Sequence, residues 1–262
     1  MKSKIWFTSK MEITRDQKIF GIAGVYFFFA LVFFPLTKAM ASESMEEARK
    51  LAAAGNFKEA SVVAAGIGDA EGFAFAAASL AVYGYEIAGE ADMQPLFLKA
   101  IEYAKAAVEL DAGSSEAYLQ LAHTLGRYAQ TLGTMTALSE GYAEQIRTAI
   151  DKAIDLDPRN YQAYLSLGAW HSEIIFAGFM AWLLYGADED DSLDAYAKAL
   201  EIAPKDNNVH YQYAVGLLKL DDRNIEQALH HLNIAVELPV VDAYQKIVQE
   251  KVKKMLIELE SN

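Results

Sequence analysis

The chain lacks cysteine altogether among its 262 residues. That excludes disulfides, thiolate metal sites, a cysteine nucleophile and a lipid-modified cysteine anchor, and it fits an oxidising compartment without requiring one. Only five prolines interrupt the sequence, so long helices are permitted. Positive charge is also scarce: 23 Lys and Arg stand against 36 Asp and Glu, a formal net charge of −13. Such a surface repels phosphate backbones, and nucleic acid is not expected as a partner, because non-specific affinity depends on basic side chains neutralising phosphates. No GxSxG elbow, phosphate loop or dinucleotide-binding glycine pattern occurs in a strand-to-helix context. The five histidines contain no His-Glu-x-x-His spacing that would seat two imidazoles on one helix face. The expectation is a protein without enzymatic activity, cofactor or metal.

What is present begins with an N-terminal targeting segment. Lys2, Lys4, Lys10, Arg15 and Lys18 precede an uncharged run from Ile19 to Phe34, and Ala39-Met40-Ala41 follows. The order of basic, apolar and small residues reads as an export signal over 1–41, cut after Ala41. The alternative is an uncleaved membrane anchor over 19–36, yet sixteen helical residues reach only about 24 Å against a hydrocarbon core of ~30 Å. Removing 1–41 leaves 17 basic against 34 acidic side chains and a net charge of −17. The rest, 42–262, is expected to be one helical repeat domain outside the cytoplasm, in a bacterial periplasm or at the cell surface.

That domain repeats itself every 46 residues. SSEAYLQLA (Ser114–Ala122) returns as NYQAYLSLG (Asn160–Gly168), AVELD (Ala107–Asp111) returns as AIDLD (Ala153–Asp157), and Ala107, Ala153 and Ala199 keep the same interval. Apolar residues recur at helical spacing from about Ser44. Helices are expected over Met45–Ala54, Phe57–Ala65, Glu71–Ala88 and Gln94–Leu110, with later ones ending at Asp157-Pro158, Ala203-Pro204 and Leu238-Pro239. Segments that cannot bury their own apolar faces must stack on their neighbours, which predicts an all-α solenoid of antiparallel helix pairs.

The residue types resemble the tetratricopeptide repeat (TPR) family. Tyr164, Leu167, Gly168 and His171 match its helix A, and Ser192, Tyr196, Ala199 and Pro204 its helix B. Tyr118, Leu121, Ala122 and Leu125 with Ile146, Ile150, Ala153 and Pro158 make the preceding unit, and His210, Tyr213, Ala214 and Leu217 with Ala228, Leu232 and Ala235 the following one. The small residues let helices approach and the large ones fill the space between units. Against the usual 34-residue unit, two units carry about twelve extra residues between helix A and helix B. The second of these holds IIFAGFMAWLLYG (Ile174–Gly186), which reads as an elongated helix A buried in the core, or alternatively as a subunit contact making a homo-oligomer through Ile174–Tyr185, or a membrane-surface contact. The acidic run Asp188–Asp191 lacks the glycine and distal glutamate of a calcium loop, so Asp191 and Asp194 are expected to cap a helix start.

More loosely, the chain from about Ser44 to Leu259 resembles the regulator of microtubule dynamics family and its bacterial relatives. The shared text is Gly168-Ala169-Trp170-His171, Leu184-Tyr185-Gly186 before helix B, and Leu238-Pro239 near the end.

The TPR resemblance implies a partner surface on the concave helix A face. Carried onto this chain, that face comprises Glu116, Leu119, His123 and Arg127, then Gln162, Leu165, Ala169, Ser172 and Glu173, then Asn208, Tyr211 and Val215. The family's carboxylate clamp of lysine, arginine and asparagine is reduced here to Arg127, Asn208 and Lys219, which speaks against an acidic chaperone tail as the ligand. The leading expectation is an exported scaffold binding a protein or peptide. The alternative is a transport-associated component holding a small or lipid-like ligand between long apolar helices.

Overall fold

The computed structural model describes residues 40–261. The expected leader over 1–41, apart from its last two residues, and the alternative anchor over 19–36 lie outside the described residues. Among the described residues every regular element is a helix. In chain order these are α1 (40–53), α2 (Phe57–Ala65), α3 (Ala70–Glu86), α4 (Glu90–Leu110), α5 (Ser115–Leu132), α6 (Thr134–Ser139), α7 (Tyr142–Leu156), α8 (Tyr161–Phe176) and α9 (Phe179–Tyr185). After them come α10 (Glu189–Ile202), α11 (Asn207–Leu220), a short 3-10 turn (Asp222–Asn224), α12 (Ile225–Glu237) and α13 (Ala243–Glu260). From Ser44 onward they belong to one packed unit.

The helices pair as α3 with α4, α5 with α7, α8 with α10 and α11 with α12, while α3, α5, α8 and α11 stack side by side as the A layer. This is an all-α, TPR-like solenoid. The three expected proline-marked ends are observed, since α7, α10 and α12 stop at Leu156, Ile202 and Glu237. One start differs. Helix α4 begins at Glu90 rather than Gln94, with Pro95 inside it and Glu90 and Asp92 in its first turn, where the helix dipole favours acids.

The 46-residue repeat has a hydrogen-bonding basis. Ser114, Asn160 and Asp206 are the N-caps of α5, α8 and α11, and their side chains accept from the backbone N–H of Ala117, Ala163 and Asn208. At the preceding helix ends, the backbone N–H groups of Asp111, Asp157 and Ala203 donate to the carbonyls of Ala107, Ala153 and Ala199. Those three alanines are fully buried, because a larger side chain there would push neighbouring helices apart. Adjacent units are also stitched directly: Asn160 Nδ2 donates to Ser115 Oγ at 2.9 Å and Ser115 Oγ to the Ala153 carbonyl at 2.7 Å.

Tyr196 of α10 is the wedge of the later units. Its ring is buried and stacks on Tyr213 at 5.1 Å. A Cβ on Gly168 would stand 2.9 Å from this ring, and one on Gly216 only 2.3 Å away. Glycine at both positions is what lets α8 and α11 close on the tyrosine.

The extra residues of the two long units do not elongate helix A. Each forms a separate short helix, α6 in one unit and α9 in the next. Gly178, at φ 104°, stops α8 and starts α9, and Gly186, at φ 62°, ends it. A side chain would resist that left-handed backbone. Contrary to the buried expectation, α9 buries only Ala181. The acidic run does cap α10, but the capping side chain is Asp188, which accepts from the N–H groups of Asp190 and Asp191. Asp191 lies within the first turn.

Candidate functional site

The A layer carries the expected partner surface, and the last helix changes its character. Val248 and Val252 of α13 are buried in the core cluster shared with α11 and α12, and Asn207 Nδ2 donates to the Gln245 carbonyl at 3.0 Å. These contacts seat α13 on the final pair. Its opposite side meets the start of the array: Lys251 Nζ lies 2.5 Å from Glu86 Oε1, at the end of α3, and the Ala243 Cβ stands 3.3 Å from where a Cβ on Gly55 would be. The helix therefore closes across the A face, from the last unit to the first.

A polar and aromatic cluster gathers where it does so. The Arg127 guanidinium of α5 stacks on the Tyr85 ring at 3.6 Å, and Lys251 Nζ lies 4.9 Å from the same ring. Desolvation raises the Tyr211 hydroxyl, and the neighbouring Tyr85 and Glu86 push it the same way. Burial likewise pushes Tyr244 up to about 12. Both phenols stay protonated at neutral pH. The Tyr244 hydroxyl reaches Asn208 Oδ1 at 3.5 Å.

Beside this cluster, α5 and α8 of the A layer carry further polar side chains. Glu116 is exposed, yet surrounding protein raises its carboxyl against the opposing pull of the Gln120 amide, which donates to it at 2.8 Å. Next along α5, His123 Nε2 is 2.8 Å from Ser166 Oγ. The serine hydroxyl gives its proton to the Gln162 carbonyl, so the imidazole is the donor. This is the reverse of a base activating a nucleophile. Burial first, and then Arg127, lowers His123 to about 4, and it is neutral at physiological pH.

The structure separates the expected site residues. Glu116 is exposed and His123 and Gln162 half-buried on the A layer. Arg127, Asn208 and Tyr211 belong to the junction with α13. Glu173 forms an ion pair with Lys219, tying α8 to α11. Leu119, Leu165 and Ser172 are corrected to core positions, being 0%, 6% and 1% exposed; the Ser172 hydroxyl donates to the Ala169 carbonyl. Ala169 and Val215 are half-buried. Sequence reasoning did not find Tyr85, Glu86, Tyr244 and Lys251. The first two end a helix outside the clear repeats, and the others sit on a helix beyond the last repeat, so no periodic signal points to them.

Two histidine contacts lie away from this face. His210 Nε2 faces the Pro204 carbonyl at 3.1 Å, which leaves its Nδ1 to accept from His231 Nδ1, also at 3.1 Å. Burial, then His210 and His230, lowers His231 to about 4. His171 Nδ1 accepts the Asp188 N–H at 2.9 Å. Among the described residues no three His, Asp or Glu side chains converge as a metal-holding group. The stretch Ile174–Tyr185 is not one long helix: it is broken at Gly178 and its second half faces outward.

The geometry has counterparts among known proteins. A family model described as "Regulator of microtubule dynamics protein 1-3" matches residues 71–260. Regulator of microtubule dynamics protein 3 of Bos taurus is 27% identical over 164 residues, covering 57% of this chain and 34% of that protein. The protein of the same name from Rattus norvegicus is 26% identical over 176 residues, covering 62% and 36%. The chain therefore spans about a third of the length of these curated relatives. A crystal structure of a thermophilic TPR protein of Thermus thermophilus superposes with a TM-score of 0.59 at 17% identity, covering 82% of this chain and 99% of that one.

Proposed function

From the membership of this chain in the regulator of microtubule dynamics protein 1-3 family, whose model matches most of its length, and from its A face, we propose that it is an exported, non-enzymatic scaffold. It binds a protein or peptide on the A face of α5 and α8, beside α13. The observation that carries this reading is the A layer itself, on which Glu116 is exposed and His123, Gln162, Arg127 and Tyr211 are half-buried across three stacked helices. A stacked groove is already ordered before binding, so little conformational entropy is lost when an extended segment enters. Glu116, His123 and Gln162 offer acceptor and donor groups to such a segment, and Arg127 and Tyr211 stand beside them at the junction with α13.

The test is site-specific photocrosslinking in the native host. A crosslinker at position 116 or 162 is expected to capture a discrete partner, and one at Lys152, exposed on helix α7, is not. Capture from Lys152 alone would place the partner on the B helices and end this reading. Alanine at Arg127 or Tyr211 is expected to weaken capture while the circular-dichroism melt still shows a folded array. Export is tested on the purified protein, where N-terminal sequencing beginning at Ser42 supports cleavage, and an intact N-terminus in the membrane fraction supports the anchor instead.

A further inference from the structure

The segment from Phe176 to Leu184 carries no charge, and six of its large apolar side chains stand in water. Phe176, Phe179, Met180, Trp182, Leu183 and Leu184 are 43–67% exposed. Around α9, at about 100° per residue, buried Ala181 and half-buried Tyr185 mark one side. Trp182, Phe179, Leu183, Met180 and Leu184 follow one another around the other side over roughly 200° of the circumference. Glycines at both ends make α9 a knob rather than a continuation of α8, and the Tyr185 hydroxyl anchors it to the Leu138 carbonyl of α6 at 3.0 Å.

We propose that this knob is a membrane contact: α9 sits in the interfacial layer of a lipid bilayer and holds this end of the helix pairs against it. A second protein fits the arc less well, because a partner approaching from one side covers part of it and leaves the rest in water, whereas fluid hydrocarbon closes around it. The length fits as well. Seven residues extend about 10 Å, far short of a ~30 Å crossing but comparable to the 5–10 Å depth of an interfacial helix. Chemistry points the same way, since the exposed arc offers one polar group, the Trp182 indole N–H, on the type of ring that settles at headgroup level. The carboxylates of Asp188, Glu189, Asp190 and Asp191 follow closely and limit how deeply the segment enters.

The experiment uses the full-length protein with phosphatidylcholine vesicles carrying bromine on their acyl chains. Tryptophan fluorescence is compared between the natural chain and Trp182→Phe; Trp6 and Trp170 are common to both, so the difference belongs to Trp182. Bromine is expected to quench that difference signal, whether or not residues 1–41 also hold the protein to the vesicle. A Leu183→Asp/Leu184→Asp variant is expected to lose all of the Trp182-dependent quenching with an unchanged melt, since both leucines are exposed. Absence of bromine-dependent quenching at Trp182 overturns the proposal. So does concentration-dependent self-association abolished by the same double variant without any effect of bromine, which would make the knob an interface between copies.

Discussion

Helices α6 and α9 are insertions at equivalent points of two successive units, and they differ in almost nothing but chemistry. Each is bracketed by glycines with positive φ, Gly133 and Gly141 around α6 and Gly178 and Gly186 around α9. The two touch through Tyr185 and Leu138. Yet α6 presents Thr134, Thr136 and Ser139 to solvent with Met135 as its one exposed large apolar residue, whereas α9 presents five. The backbone geometry of the insertion is therefore separable from what it displays. The repeated frame of caps, alanines and wedged tyrosine supplies stability, and the inserts can vary in surface because that frame does not depend on them.

The sharpest way to break this division is to overpack the frame. Gly216→Leu forces a side chain into the Tyr196 ring and is expected to cost about 3 kcal/mol, lowering the melting temperature by roughly 10 °C. Gly168→Leu and Ala199→Leu should follow in the range of about 1–3 kcal/mol. An unchanged melt in these variants would refute the packing assigned to Tyr196.

Acid is expected to loosen the frame next. His123 and His231 both sit near 4 against an ordinary 6.5, so between these values the unfolded chain binds more protons than the folded one. Stability is whole above about pH 6.5 and falls as pH drops towards 4, by roughly 3 kcal/mol for each imidazole. The raised carboxyl of Glu116 works in the opposite direction within the lower part of that window. Chemical denaturation at a series of pH values measures the slope, and His123→Gln should flatten it.

Removing a cap is a smaller perturbation. Ser114→Ala should cost about 1 kcal/mol, and Asn160→Ala and Asp206→Ala more, because the Asn160 amide also donates to Ser115 Oγ at 2.9 Å and the Asp206 carboxylate also accepts the Tyr161 hydroxyl at 2.8 Å. Thermal melts of the three variants test whether equivalent caps contribute alike. Smallest of all is the insert: Leu183→Ser and Leu184→Ser should stay within about 0.5 kcal/mol of the natural chain. A large loss there would mean that α9 belongs to the frame after all.

Much of the fold was legible because its signals are local. A cap needs one side chain and the next turn, a proline-marked end needs two residues, and the alanine spacing needs only the repeat. Less of the site was legible. Glu116, His123 and Gln162 follow from the helix A register, but Ser172 shares that register and is buried. Whether a position on the A face meets water or protein depends on how far each unit is rotated against the next. The apolar text of α9 could not reveal its own exposure either, since uninterrupted hydrophobicity suits a buried helix and an outward knob equally.

By itself the sequence determined most of the helices, the pairing of A with B and the presence of two insertions, because each rests on contacts within one unit or between neighbours. Tertiary structure alone decided that α13 closes over the A face and that α9 faces outward. Lys251 and Glu86 are 165 residues apart, and they meet only because the small rotations between stacked units accumulate along the array, a sum to which every unit contributes and which no single segment encodes.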